Sequence, residues 1–476
     1  MFHWYMGIKN EVEMDMENFE KYQQFRLQYP KFIYHGYEIG EEEEQICIQY
    51  HFEIPGLSDF TPSWKFPKGN YEGNTLEQLK NNSIMQKLVF SLGMVELISY
   101  WKITCSKEVE VLCANLQEEE IRWWKELYFY GLGEFFYTNG IPLDKEGFMK
   151  LYGAGNSIVI QDSAQRPLEG CLVPVGGGKD SVVSLELLKK AGEKIKCYII
   201  NPRGATVNCV EAGGYGMENT LVANRTLDRR MIELNQQGYL NGHTPYSAIV
   251  AFSSTITAFL HGIKYICLSN EASANESTVM GSTVNHQYSK SFKFEKDFHT
   301  YEKKFIGSGT YYFSLLRPLS EFQIARYFSG CTAYHPIFRS CNAGSKEDKW
   351  CGHCPKCLFV FFILSPFLSH ERLCEIFKTD MLEDETMESV MRQLIGEVEE
   401  KPFECVGSRE EVNTAICMTI ADMEKQGAVL PKLLATYKTT AQYSIYSQKE
   451  NTFFSSYEEE NLLPEKFEKL IKENCF

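Results

Sequence analysis

The sequence predicts an α/β protein whose central part is a parallel sheet with helices on both faces. Between residues 166 and 375, short apolar runs such as Leu172–Val175 and Lys196–Ile200 alternate with stretches of helical periodicity, which is typical of such sheets. Strand-like and helical stretches precede this part, and an acidic, partly helical tail follows it. We therefore expect an N-terminal α+β domain over residues 1–165, the parallel-sheet domain over 166–375, and a mostly helical region over 376–476.

The N-terminal region begins with a predicted hairpin. Phe32–Ile39 and Gln45–Ile54 have strand character and flank an acidic turn that is typical of a solvated loop. Apolar residues then recur at helical spacing in Asn81–Trp101 and in Glu118–Tyr130, so the sequence predicts two helices there.

The central region contains further elements of both kinds. Helical patterns cover Asn219–Glu233 and Pro245–Gly262, and Tyr265–Ser269 reads as a strand. The longest apolar run, Leu358–Leu368, is too short to span a bilayer and contains Pro366, so we interpret it as a buried helix.

The composition of the chain narrows the classes of function that we expect for it. The 476 residues carry a formal net charge of −15, which argues against a general nucleic-acid binder, because such proteins hold phosphates with basic residues. The first 22 residues lack a basic stretch followed by an apolar one, so a signal peptide is not expected. Sixteen cysteines in such a chain predict reduced thiols and a cytoplasmic location.

The most informative stretch is the glycine turn that follows the strand Leu172–Val175. Gly176, Gly177 and Gly178 let a ligand approach the backbone, and Lys179, Asp180 and Ser181 begin a helix whose N-terminus attracts anions. The segment thus predicts a phosphate site. The alternative is a tight strand-to-helix turn without a ligand.

Two further strand ends should reach the same edge of the sheet. Asn201-Pro202-Arg203 follows one strand, and the polar stretch 270–277 follows another. Ligands of parallel sheets bind beyond the carboxyl ends of the strands. Asn270 and Glu271 are therefore expected to complete a nucleotide or metal site, unless Asn270 only caps a helix.

A second motif lies in the knuckle segment 341–357. Four cysteines at this spacing can close a tetrahedral zinc site with a structural role, and they are Cys341, Cys351, Cys354 and Cys357. His353 is a competing ligand, and the alternative is a set of free thiols. Cys331 and Cys374 are expected to lie outside the site.

The turn Gly176–Ser181 resembles the SGGxDS motif of the PP-loop ATP pyrophosphatases, with Gly176 in place of the usual serine. This resemblance implies a HUP-like nucleotide domain that cleaves ATP between the α and β phosphates and adenylates a substrate oxygen. Asp180 would then approach Mg²⁺. The four-cysteine spacing is similar to the zinc site of the deazaguanine synthases in that superfamily.

A closer resemblance covers most of the chain. The segments GLGEFFYTNG, VPVGGGKDS, NGHTP, SNEASA, VNHQYSKS, YFSLLRPLSE, YHPIFRSCN, WCGHCPKCLFVF and KPFECVG are similar, in that order, to the bacterial MurL family. The resemblance implies an isomerase of peptidoglycan precursor synthesis. Such an enzyme converts the terminal L-glutamate of UDP-N-acetylmuramoyl-L-alanyl-L-glutamate to D-glutamate and releases AMP and pyrophosphate.

This chemistry assigns roles to residues in three groups. Catalytic roles fall to Lys179 and Asp180 in the loop and to His243 and His286 as acid and base candidates, with Tyr288 and Lys290 in reserve. Positive side chains for substrate carboxylates or diphosphate are Lys290, Arg317 and Arg326. The alternatives are hydrogen-bonded structural histidines and arginines in surface ion pairs.

Two other functions stay open on the sequence. One is a PP-loop adenylating enzyme that modifies tRNA or a nucleobase, and the other is a non-catalytic nucleotide-binding protein. We expect ATP, Mg²⁺ and a structural Zn²⁺ as ligands and a small-molecule substrate, with neither nucleic acid nor membrane as partner. The sequence does not predict an oligomeric state, the identity of the α-proton base, or a role for the N-terminal domain.

Overall fold

The structure, a computed structural model, describes residues 17–69, 75–160 and 167–476. Its strands are β1 (Lys31–Glu42), β2 (Gln45–Ile54), β3 (Ser58–Phe60), β4 (Ser63–Pro67), β5 (Glu108–Val111), β6 (Lys150–Gly153), β7 (Glu169–Pro174), β8 (Ile195–Ile200), β9 (Thr220–Thr226), β10 (Ile263–Leu268) and β11 (Tyr311–Ser314). They form one 11-stranded sheet in the order β11-β10-β7-β8-β9-β4-β2-β1-β5-β6, with β3 paired to β2.

Helices cover the sheet and form the C-terminal part. The first nine are α1 (residues 17–28), α2 (Leu76–Asn81), α3 (Ser83–Trp101), α4 (Glu118–Gly131), α5 (Gly133–Thr138), α6 (Lys179–Lys190), α7 (Gly204–Ala212), α8 (Arg229–Gln236) and α9 (Tyr246–His261). The others are α10 (Phe292–Tyr301), α11 (Glu321–Ser329), α12 (Pro355–Leu364), α13 (His370–Phe377), α14 (Glu388–Ile395), α15 (Arg409–Lys425), α16 (Lys432–Tyr437), α17 (Ala441–Tyr446) and α18 (Glu465–Cys475). Within the described ranges, no helix has the length and apolar character needed to cross a bilayer.

One half of the sheet is the predicted parallel α/β unit. Strands β11, β10, β7, β8 and β9 are all parallel. The chain runs outward from β7 through β8 to β9 and then returns to place β10 on the other side of β7. The direction of winding therefore reverses between β7 and β10, and ligands of such sheets bind at this reversal. The α/β fold class and the helical tail are confirmed.

The other half of the sheet is built around the predicted hairpin. β1 and β2 pair antiparallel, and the predicted helices 81–101 and 118–130 correspond to α3 and α4. Buried aromatic side chains fill this half, including Tyr34, Tyr50 and Trp64.

The two halves meet where β4 pairs antiparallel with β9. A buried ion pair strengthens this junction, because Arg225 Nε of β9 lies 2.6 Å from Glu96 Oε1 of α3. Trp64 Nε1 of β4 donates to the same carboxylate at 2.8 Å. One sheet thus contains strands from both sides of the domain boundary predicted at residue 165. The division into three domains stays a prediction.

Two elements differ from the sequence-based prediction. The predicted helix 219–233 is wrong, because residues 220–226 form β9 and a helix begins only at Arg229. A position between β8 and β4 offers strand partners on both sides, which outweighs the local helical pattern. The buried helix near residue 358 is confirmed as α12, which ends at Leu364, before Pro366.

Candidate active site

A cleft of about 480 Å³ lies at the reversal point of the parallel half. Pro174 and Leu268, the last residues of β7 and β10, form part of its floor. The three predicted strand ends do converge there: Gly176, Gly178, Asp180 and Ser181 come from the first, Arg203 from the second, and Ser269 and Asn270 from the third. We call this side of the cleft the phosphate wall.

The glycine turn needs two of its three glycines for steric reasons. Gly177 has φ +84°, and a Cβ there would approach the Cβ of Ala205 to 2.9 Å. A Cβ on Gly178 would lie 3.2 Å from that of Ser340. Gly176 is different, because a Cβ there would meet no described atom within 4 Å. The position where PP-loop proteins usually have serine therefore has room for one.

Several helices begin at the cleft. Gly178, Asp180 and Ser181 are at the start of α6, and Ala205 is at the start of α7. Tyr246 opens α9, and Lys356 lies in the first turn of α12. The N-terminus of each helix carries partial positive charge, so four of them favour an anion in the cleft.

Lys179 and Asp180 differ in their access to the cleft. Lys179 is only 2% exposed, and its Nζ pairs with the carboxylates of Asp180 and the buried Glu321. Burial opposes its charge, but these carboxylates raise the pKa of Lys179. Asp180 lines the cleft, and despite its burial Lys179, Lys356 and Lys290 lower its pKa. The positive charge of Lys179 thus helps to keep the Asp180 carboxylate ionised.

Both predicted histidines also line the cleft. His286 Nδ1 lies 2.5 Å from Glu134 Oε2, and His243 Nδ1 lies 3.4 Å from the same oxygen. The two imidazole rings are 4.4 Å apart between centroids. Two ligands of one tetrahedral metal ion lie about 3.3 Å apart, so the 2.5 Å contact is better explained as a hydrogen bond. The arrangement suits proton transfer.

The environments of the two histidines push their protonation states apart. Burial and the positive charges of His286 and Lys102 lower the pKa of His243 to about 3. Burial also disfavours charge on His286, but its interactions with Cys405 and Glu134 raise its pKa to about 9. At neutral pH, His243 is therefore a neutral base and His286 a charged acid.

Cys405 also lines the cleft. Its thiol feels the positive charge of the His286 imidazolium, which lines the same cleft. Burial opposes its ionisation, but the positive charges of Lys290, His286 and Lys356 lower the pKa of Cys405 to about 6. We call His243, His286 and Cys405, which line the cleft, together with Glu134, which contacts both histidines, the proton wall.

The four knuckle cysteines converge beside the phosphate wall. Their sulfur atoms all lie within 4.8 Å of one another, and the Sγ–Sγ distances of Cys354 are 3.6 Å to Cys341 and 3.5 Å to Cys357. None of the four forms a disulfide. The residues just before this segment contact the glycine turn, because the Arg339 N–H donates to the Gly177 carbonyl at 2.7 Å.

Six residues predicted for the nucleotide or substrate site lie outside the cleft lining that the structure describes, namely Gly177, Lys179, Glu271, Tyr288, Arg317 and Arg326. Arg317 is fully buried, donates to Glu295 Oε2 at 2.9 Å and to the Glu271 carbonyl at 2.6 Å, and so belongs to the core. Arg326 donates to the Cys475 carbonyl at 2.5 Å. Glu271 is buried behind the wall, near Lys179. Lys290, the third predicted substrate ligand, does line the cleft.

Sequence reasoning missed Glu134, Cys405 and Lys356 as site residues. Each comes from a segment far from the glycine turn, so no local spacing joins them to it. The one available signal was their place in GLGEFFYTNG, KPFECVG and WCGHCPKCLFVF, three of the segments that carry the family resemblance.

Comparison with known proteins supports that resemblance. A family model described as the MurL N-terminal domain matches residues 23–315, and one described as the MurL C-terminal domain matches 337–448.

Three similar proteins are each named UDP-N-acetyl-alpha-D-muramoyl-L-alanyl-L-glutamate epimerase. The one from Xanthomonas oryzae pv. oryzae is 34% identical over 74% of this chain and 79% of its own length. Those from Micromonospora sp. and Salinispora tropica are 37% and 35% identical, each over 69% of this chain and over 73% and 72% of their own lengths. The predicted family is confirmed, and the chain belongs to the MurL family.

Proposed function

We propose that this protein is an ATP-dependent epimerase acting on UDP-N-acetyl-α-D-muramoyl-L-alanyl-L-glutamate, a peptidoglycan precursor. It would invert the terminal L-glutamate to D-glutamate and form AMP and pyrophosphate. The observation that carries the proposal is the meeting, in one cleft, of an anion-binding wall and a histidine pair poised for proton transfer. The names of the three relatives supply the substrate.

The proposed reaction begins with activation of the glutamate α-carboxylate. Removing the α-proton beside a carboxylate would place a second negative charge next to the first. Transfer of AMP to the carboxylate removes that charge, so a positioned base can then take the proton. ATP is therefore required before the stereocentre can change, and pyrophosphate leaves in this step.

The phosphate wall suits this first step. The helix N-termini, the backbone of the glycine turn and the side chains of Arg203, Lys290, Arg339 and Lys356 offer positive potential to the phosphates of ATP. Assignment as a PP-loop rests on the turn Gly176–Ser181 and its place after β7. Asp180 would hold Mg²⁺, which neutralises phosphate charge when bound.

The proton wall suits the second step. His243, neutral beside the charged His286, is the proposed base that removes the α-proton. His286 is the proposed acid, and Glu134 orients it and favours its charged form. Both roles follow from environments that push the two pKa values apart.

A structural zinc site is proposed at Cys341, Cys351, Cys354 and Cys357. Sulfur atoms about 2.3 Å from a tetrahedral zinc lie about 3.75 Å apart, which fits the observed separations. Zinc bound there would fix the segment that holds Arg339 and Ser340 against the glycine turn. A cytoplasmic location is part of the proposal.

One incubation tests the function. Purified protein is mixed with ATP, Mg²⁺ and the L-glutamate substrate in D₂O. We expect AMP, pyrophosphate, deuterium at the glutamate α-carbon and D-glutamate after hydrolysis. AMP without α-deuterium would contradict the epimerase and favour another adenylating activity. ADP would contradict the PP-loop chemistry itself.

A further inference from the structure

Hydrogen bonds to three other segments of the chain fix the loop that carries Cys405. The Lys401 N–H donates to the Thr278 carbonyl at 2.9 Å, and Gln287 Nε2 donates to the Val406 carbonyl at 3.0 Å. Lys356 Nζ donates to the carbonyl of Cys405 itself. Cys405 lines the cleft, and these hydrogen bonds fix the backbone that carries it.

Glu134 is hydrogen-bonded to the His286 imidazole, and the Cys405 thiol lines the same cleft as that imidazole. In this arrangement an acid orients an imidazole, and the imidazole stabilises a thiolate that attacks a carbonyl carbon. We propose that Cys405 is a nucleophile that takes the activated glutamyl group from AMP, so that the α-carbon is inverted on a thioester. This inference rests on the proposed function and adds a covalent intermediate to it.

The charges around Cys405 support a nucleophilic role over simple packing. Lys290, His286 and Lys356 lower its pKa to about 6 against the effect of burial, so the thiolate is populated at neutral pH. Lys290 and Lys356 also lower the pKa of Asp180 in the phosphate wall. The thiol therefore shares its positive neighbours with the loop that would hold ATP.

A second observation points to a ligand beside this thiol. Gln287 lines the cleft and is 4% exposed, and among the described residues its Oε1 has no hydrogen-bond partner. Its Nε2 is fixed by Val406, next to Cys405. An unpaired buried acceptor is costly, and the amide N–H of the substrate's glutamate would satisfy it. That bond would hold the glutamyl group beside the sulfur.

The proposed steps balance without a further reagent. The Cys405 thiolate adds to the carbonyl carbon of the acyl-adenylate, a C–S bond forms, and the C–O bond to AMP breaks with its electron pair leaving on AMP. A base removes the α-proton, and a proton returns on the opposite face. Water then adds to the thioester carbonyl, the C–S bond breaks with its electron pair leaving on sulfur, and the two protons of the water pass to solvent, which restores the thiolate and releases the carboxylate product.

Acylation would also change the acid beside it. Once the C–S bond forms, Cys405 no longer carries the negative charge that helps to raise the pKa of His286. The imidazolium becomes a stronger acid at the stage when the α-carbanion needs a proton. Acylation of the Cys405 thiol would therefore come first, and proton donation by His286 would follow.

The test uses the full-length protein with ATP, Mg²⁺ and the L-glutamate substrate, quenched in acid within one turnover and digested with pepsin. We expect the Cys405 peptide to gain the mass of the substrate less one water. Cys405→Ala should keep substrate-dependent ATP–pyrophosphate exchange within a fewfold of wild type. It should lose α-deuterium incorporation by at least 100-fold. Cys331→Ala, which alters another half-buried thiol, should behave like wild type.

The outcomes separate this inference from the proposed function. If the wild type makes D-glutamate while no adduct appears and Cys405→Ala still epimerises, the thioester is wrong and the epimerase stands. If Cys405→Ala releases AMP at the normal rate and loses only proton return, Cys405 is a proton carrier and the thioester is again wrong. If the wild type forms no pyrophosphate, the proposed function fails and the thioester with it. The adduct on the wild type does not depend on how the variants fold.

Discussion

The two walls of the cleft are built in different ways. The glycine turn and the N-termini of α6 and α7 in the phosphate wall follow directly from the ends of β7 and β8, and the end of β10 adds Ser269 and Asn270. The proton wall consists of four side chains from four distant segments, namely Glu134, His243, His286 and Cys405. Anion binding can thus be encoded locally, whereas proton transfer depends on the tertiary fold. It follows that the two steps should be separable by mutation.

The largest effect is expected in the phosphate wall. Asp180→Ala removes the proposed Mg²⁺ ligand but leaves Lys179 its buried partner Glu321, so the fold should hold. Loss of metal and phosphate positioning should lower pyrophosphate formation by about 10³-fold, with epimerisation falling in parallel. A pyrophosphate assay, with circular dichroism as the folding control, checks this. Retained activity would mean that the nucleotide binds elsewhere.

Glu134→Gln should give a smaller effect confined to the proton wall. Without this carboxylate the pKa of His286 falls from its raised value of about 9. The charged acid is present below its pKa and lost above it, so the alkaline limb of the rate profile should move to lower pH. We expect roughly a 10- to 100-fold loss of α-deuterium incorporation at pH 8. An unshifted limb would exclude His286 as the acid.

Cys354→Ser should act on the phosphate wall indirectly. We expect zinc content to fall from about one per chain to near zero and the melting temperature to drop by roughly 5–10 °C. Pyrophosphate formation should fall severalfold, because the Arg339 contact with Gly177 loses its support. Elemental analysis and calorimetry measure this, and Cys331→Ser is the matched control. A wild type without zinc would contradict the site.

Gly176→Ser should have the smallest effect. A Cβ there meets no described atom within 4 Å, so the usual serine of PP-loop proteins fits without displacing a neighbour. We expect the KM for ATP to stay within about threefold of wild type, since at most one hydrogen bond is added. Gly177→Ser is the contrasting variant, because φ +84° and the close Ala205 Cβ make it strained. Equal behaviour of the two would refute this account of the turn.

The sequence predicted that three strand ends converge at one cleft, because the determinants of that arrangement are local. A strand, three glycines and an amphipathic helix fix the turn at Gly176–Ser181, and the order of strands brings Arg203 and Asn270 to it. The same reasoning found His243 and His286, but their opposite protonation states depend on Glu134 and Cys405. Those two partners come from distant segments and could not be read from spacing.

Tertiary context separates two predictions from the structure. Arg317 was expected to meet substrate, but it is fully buried against Glu295, and a sequence shows the charge of a residue without its depth. Residues 220–226 form a strand where a helix was expected, since the gap between β8 and β4 offered partners on both sides. Tertiary context decided both outcomes.

The separation of the two walls is the central claim, and His243→Asn tests it most directly. Substrate-dependent ATP–pyrophosphate exchange and α-deuterium incorporation are measured in the same D₂O reaction, beside wild type. We predict exchange within about threefold of wild type and deuterium incorporation lowered by about 10²- to 10³-fold, since the base is lost but the nucleotide site is intact. Loss of both activities to the same extent, or unchanged deuterium incorporation, would contradict the account.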